Sequence, residues 1–86
     1  MEPRKLLIIK QKGCPSCEYM ESKAIELANK YNTQHTIVDL WKIKESIRPG
    51  YTPYFFLLNS EGDKIAEWGG GPEKIDGLET MIKENI

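Results

Sequence analysis

The chain has almost no means of stapling itself together: its 86 residues include only two cysteines, Cys14 and Cys17, and neither has a distant partner. A secreted scaffold held by disulfides is excluded, and a close Cys-x-x-Cys pair reads instead as redox or metal chemistry. There is no excess of either charge. Lys plus Arg number 12 and Asp plus Glu 13, a formal charge of −1, so the basic surplus of a typical nucleic-acid binder is missing. Long apolar runs are missing too. The longest near the N-terminus, Leu6-Leu7-Ile8-Ile9, falls short of the ~20 residues that cross a bilayer and of the ~7–15-residue apolar stretch of an export signal. The expected address is the cytoplasm, with neither membrane nor nucleic acid among the partners. Linkers, low-complexity tracts and internal repeats are absent as well. What is there, 40% hydrophobic and 29% charged residues, suits a single globular domain over residues 1–86. A domain this small buries only about two-thirds of the surface its unfolded chain exposes, so its core must be compact.

Gly and Pro punctuate the chain at intervals suited to alternating strands and helices. Lys5–Lys10 is a short Leu- and Ile-rich run without alternation, which predicts a strand buried on both faces. From Pro15 the period changes to helical, with Cys17, Met20, Ala24, Leu27, Ala28 and Tyr31 on one face. Pro15 suits the first helical position, where its missing N–H has no partner to lose. Glu26 and Lys30 are spaced as an i,i+4 ion pair. Residues 34–40 alternate, with Thr36, Val38 and Leu40 on one side, and read as a second strand. Residues 41–47 read as a brief helical stretch, with Ile43 and Ile47 four apart, stopped by Pro49-Gly50. Residues 53–58 are apolar and aromatic, hence a central strand, with Tyr54, Phe55 and Phe56 as core; a turn at 59–63 leads into a hairpin partner at 64–68. Pro72 opens a final helix with Ile75, Leu78, Met81 or Ile82, and Ile86 on its core face. Gly77 inside that helix costs about 1 kcal/mol relative to Ala unless close packing on the sheet requires it. The expected class is therefore α/β, ordered β-α-β-α-β-β-α. Its first two strands are parallel through a right-handed crossover and its last two antiparallel, in a mixed four-stranded sheet.

Cys14 falls where a buried strand hands over to a helix. First-turn N–H groups point at such a residue, and the positive end of the helix dipole favours its thiolate. Cys14 is then the nucleophile of disulfide exchange, and Cys17, one turn further on, resolves the mixed disulfide. Pro15 and Ser16 shape the turn between them and help set the redox potential. Lys12 either adds to the positive field at Cys14 or is a solvated loop lysine. Zinc is the competing chemistry, but a structural site needs about four ligands, and the chain offers two cysteines and His35 on an expected strand. A metal shared between two molecules and a two-thiol sensor without turnover stay open. No metal and no organic cofactor is implied.

Taken together, Gly13-Cys14-Pro15-Ser16-Cys17 after the first strand, Thr52-Pro53 opening the third and Gly69-Gly70 after the fourth resemble the thioredoxin/glutaredoxin superfamily over nearly the whole chain. The resemblance implies the minimal thioredoxin fold, with sheet order 2-1-3-4, the first and last helices on one face and the middle helix on the other. It implies catalytic Cys14 and Cys17, and a cis Pro53 lying against them. The Thr52 backbone would pair with an extended substrate like an added strand, while Gly69 and Gly70 let substrate backbone approach. The implied partners are disulfide-containing proteins, and a thioredoxin-reductase-type donor or glutathione to recharge a monomeric carrier. Several positions depart from the subfamilies. Gln11 stands where glutaredoxins usually carry a basic residue, Gly71-Pro72 follows the glycines, and Ser16 replaces their common Tyr. Gly13 replaces the Trp of thioredoxins, and Ile8 their buried acid. The alternatives are a redox-inactive binding module on the same fold and a zinc-binding protein. Tyr51, beside Thr52-Pro53, reads as a substrate contact or an exposed loop residue; Trp41 and Trp68 read first as packing.

Overall fold

The computed structural model describes residues 4–85. Its sheet runs in the order β2-β1-β3-β4, built from β1 (Lys5–Lys10), β2 (Gln34–Asp39), β3 (Tyr54–Leu58) and β4 (Lys64–Gly69). β1 and β2 are parallel and β3 and β4 antiparallel, as expected from the sequence, and β3 is also antiparallel to β1. Two α-helices, α1 (Pro15–Lys30) and α2 (Ile75–Glu84), complete the frame. This is the minimal thioredoxin fold.

One face of the sheet carries the main core. Leu6 and Ile8 of β1 and Phe55 and Leu57 of β3 point to it and meet Met20, Ala24 and Ala28 of α1 and Leu78, Met81 and Ile82 of α2. The strands alternate, so the neighbours of those residues point the other way. There Ile9, Phe56 and Leu40 form a smaller buried cluster with half-buried Leu7, Ile43, Tyr54 and Leu58.

The middle helical stretch does not form as an α-helix. Residues 40–47 make two 3-10 turns, Leu40–Lys42 and Glu45–Ile47, the first capped by Asp39, whose Oδ1 accepts the Trp41 N–H at 2.9 Å. A stretch this short cannot repay helix nucleation without a broad apolar face, and Ile47 stays 57% exposed. Arg48 ties the stretch down by donating from Nε and Nη2 to the Ile43 carbonyl, at 3.1 and 2.9 Å, and by stacking on Trp41 at 4.9 Å. The last helix is also shorter than expected: Pro72–Lys74 is a 3-10 turn and α-helix begins at Ile75. Ile86, expected on its core face, lies outside the described residues.

Long-range partners displace the anticipated Glu26–Lys30 pair. Lys30 Nζ instead reaches Glu79 at 2.7 Å, where the Tyr31 hydroxyl also donates at 2.7 Å, and this joins α1 to α2. Glu26 pairs with Lys23 at 3.7 Å. Arg4 closes the same end of the molecule by donating to the carbonyls of Asn85 and Tyr31, at 2.7 and 3.2 Å. Gly77 has a packing reason: a Cβ there would stand 2.5 Å from Trp68 Nε1. Trp68 stacks at 5.9 Å on Phe55 and belongs to the core side of the sheet.

Candidate active site

The C-terminal ends of β1 and β4 and the N-terminal end of β3 lie together, because Tyr54 is register partner to both Ile9 and Gly69. The topology thus brings the Cys14 loop, the Thr52-Pro53 turn and the Gly69-Gly70 exit to one end of the sheet. Cys14 is the N-cap of α1, with extended backbone (φ −112°, ψ 95°), and Pro15 takes the first helical position. No side chain caps the helix start. The dipole end therefore acts on the Cys14 sulfur without a competing carboxylate or hydroxyl on the first-turn amides. The Cys17 N–H donates to the Cys14 carbonyl at 3.1 Å, which holds the pair at adjacent levels of one helical turn.

Cys14 and Cys17 are joined in a disulfide, with Cα atoms 5.3 Å apart. Their environments differ sharply. Cys14 is half-buried and borders solvent, whereas Cys17 is 2% exposed and forms part of the apolar underside of α1. Ser16 Oγ lies 3.6 Å from Cys14 Sγ, within reach of a hydroxyl–sulfur hydrogen bond. Such a donor stabilises a thiolate more than a thiol.

The Thr52–Pro53 peptide is cis, Pro53 is buried and Thr52 half-buried. Tyr51 is 55% exposed and packs edge-on against Tyr54 at 5.4 Å between ring centres. These two rings explain Gly69, since a Cβ there would collide with the Tyr54 ring and stand 2.6 Å from the Tyr51 hydroxyl oxygen. Gly69 thus makes room for the protein's own tyrosines, and Gly70 borders the Trp68 ring. Tyr54 donates to Glu67, which also accepts from Lys64 at 2.7 Å. That bond to Glu67, reinforced by partial burial, pushes the Tyr54 hydroxyl up to about 12. The donors Lys64 and Tyr54 in turn hold Glu67 below the usual carboxylate range.

Beside the disulfide lies a recess of about 430 Å3, lined by Lys10, Lys12, Cys14, Cys17, Glu18 and Asp39 together with Gln11 and Gly13. Lys12 is exposed on its rim. Lys10 Nζ bonds Glu21 of α1 at 2.8 Å, and this bond, with the fields of Glu18 and Asp39, raises its pKa. Sequence reading missed Lys10, Glu18 and Asp39. Lys10 and Asp39 are register partners across the parallel β1–β2 pair, so aligning the two strands would have placed both on the face that α1 covers. His35 sits on the edge strand β2, and no cluster of metal-ligating side chains occurs among the described residues.

No protein-family model and no curated protein matches the sequence. Solved structures do. A reduced Schistosoma mansoni thioredoxin pre-protein superposes with a TM-score of 0.79 at 25% identity, over 99% of this chain and 81% of that one. A second Schistosoma mansoni thioredoxin structure gives 0.80 at 24% identity, over 99% and 79%. Oxidised thioredoxin from Plasmodium falciparum gives 0.72 at 18% identity, over 98% and 82%. The fold defines an α/β protein whose first helix opens on a vicinal cysteine pair. Fold and pair support membership of the thioredoxin superfamily. Fold and cysteine pair together support a thiol–disulfide oxidoreductase.

Proposed function

We propose that the protein reduces protein disulfides as a small thioredoxin/glutaredoxin-like electron donor. The observation that carries this reading is the asymmetry of the pair: a solvent-bordering sulfur at a helix N-cap, with a buried sulfur one turn behind it. The Cys14 thiolate attacks a substrate disulfide, forms a mixed disulfide and releases one substrate thiolate. Cys17 then attacks Cys14 Sγ, which closes the intramolecular disulfide and frees the second substrate thiolate. Substrate, a disulfide-containing protein, lies as an extended segment against Thr52-Pro53. Lys12, Pro15, Ser16, Tyr51, Gly69 and Gly70 border the groove. The chain works as a one-domain monomer in a reducing compartment such as the cytoplasm, because a reductant needs a reduced pool to recharge it.

A thioredoxin-reductase-type donor fits this chain better than glutathione. Gln11 offers no cation at the position where glutaredoxins hold a glutathione carboxylate. Pro72 heads the turn after Gly69-Gly70-Gly71 and removes one N–H from the place where an anion would bind.

Insulin reduction with dithiothreitol as donor tests the reading. Cys14→Ser should abolish the wild-type activity, and Cys17→Ser should accumulate mixed disulfide. A wild-type protein inactive with every donor would leave a docking module as the better account. Oxidised protein offered NADPH with thioredoxin reductase should recover faster than with glutathione and its reductase.

A further inference from the structure

Resolution by Cys17 requires that a buried thiol, 2% exposed, lose a proton. Resting on the exchange reading above, we propose that the Asp39 carboxylate accepts the Cys17 proton through solvent in the recess they share. The charged groups that line the recess with Cys17 are Lys10 of β1, Lys12 of the β1–α1 loop, Glu18 of α1 and Asp39 of β2, and Glu21 of α1 joins them through Lys10. A lysine side chain is a donor with no acceptor site and cannot serve. Glu21 is engaged by Lys10 at 2.8 Å. Glu18 follows Cys17 directly, so its side chain leaves the helix about 100° away from that of Cys17. Asp39 comes from the sheet. As register partner of Lys10 it projects to the face on which α1 sits, and among the described residues its Oδ1 alone has a partner, the Trp41 N–H. Oδ2 is left to take a proton.

The step balances without an outside reactant. The proton leaves Cys17 Sγ for the Asp39 carboxylate by way of water. The thiolate attacks Cys14 Sγ of the mixed disulfide, the Cys14–substrate sulfur bond breaks, and the departing substrate thiolate takes up the proton. Lys10, held in place by Glu21, keeps a positive charge beside the carboxylate between turnovers. Lys10 is thus a positioning residue.

Single turnover of the reduced protein with an aromatic disulfide, 5,5′-dithiobis(2-nitrobenzoate), reads both steps, because each attack releases one coloured thiolate. Cys17→Ser, giving one release only, assigns the phases. In Asp39→Asn the second release should slow roughly 10- to 100-fold and should become proportional to hydroxide, while the first stays unchanged or quickens slightly. Asn keeps an oxygen for the Trp41 N–H, so the turn persists. Asp39→Glu should restore most of the rate. A purely electrostatic role predicts the opposite sign, since removing a negative charge eases thiol ionisation and hastens both phases. A second release in Asp39→Asn as fast as wild type or faster would overturn the relay, as would an Asp39→Glu protein as slow as Asp39→Asn. Failure of the first release in wild type would instead overturn the exchange reading itself.

Discussion

The two faces of the sheet are roofed differently. One lies under α1 and α2, with Phe55, Leu6, Ile8 and Leu57 fully buried. The other has only the 3-10 stretch of residues 40–47, and what seals it is partly polar: Lys64 Nζ sits 4.8 Å over the Phe56 ring, and Tyr54 meets that ring edge-on at 5.8 Å. Both faces also carry a tyrosine–glutamate–lysine group, Tyr31–Glu79–Lys30 between the helices and Tyr54–Glu67–Lys64 on the hairpin. A small domain can thus keep a full core on one side and replace a whole helix on the other with a few turns, an arginine and the stems of charged side chains.

The sharpest test of that contrast is a pair of truncations. Phe55→Ala should cost about 3–5 kcal/mol in urea denaturation, because the helices cannot collapse into the void. Phe56→Ala, under a cover free to settle or to admit water, should cost about half as much; equal costs would erase the distinction. Gly77→Ala comes next. Its helix-propensity gain of about 1 kcal/mol is outweighed by overpacking against Trp68 of about 1–3 kcal/mol, so a lowered Tm with altered tryptophan fluorescence is expected. Arg48→Ala should cost about 1 kcal/mol, and hydrogen exchange should quicken over residues 40–48 while the amides of α1 stay protected. The smallest effect is in alkali. The Tyr54 hydroxyl, ordinarily near 10.0, is raised to about 12 in the fold, so the folded protein binds more protons than the unfolded chain between those values. The hairpin's contribution is full below pH 10.0, is lost as the pH climbs toward about 12, and vanishes from the profile in Tyr54→Phe.

Most of the architecture was legible because its signals are local. A short apolar run, a change to helical period at Pro15 and an Asn-Ser-Glu-Gly-Asp turn each determine their own element. The cysteine pair was legible for the same reason. Residues 41–47 misled, because Ile43 and Ile47 have helical spacing but only Ile43 finds apolar neighbours, and tertiary contact decides so short a segment. Lys30 misled because Glu79, 49 residues away in sequence, outcompetes the helical neighbour. The placement of Asp39 beside the recess and the need for glycine at Gly69 depend on strand register and on tyrosine rings packed against it, neither of which periodicity reveals.

The deep placement of Cys17 has an outcome beyond protecting it. Since only its companion meets the outside, a bulky disulfide has one sulfur of the pair within reach, and on the exchange proposed above a mixed disulfide forms at that sulfur alone.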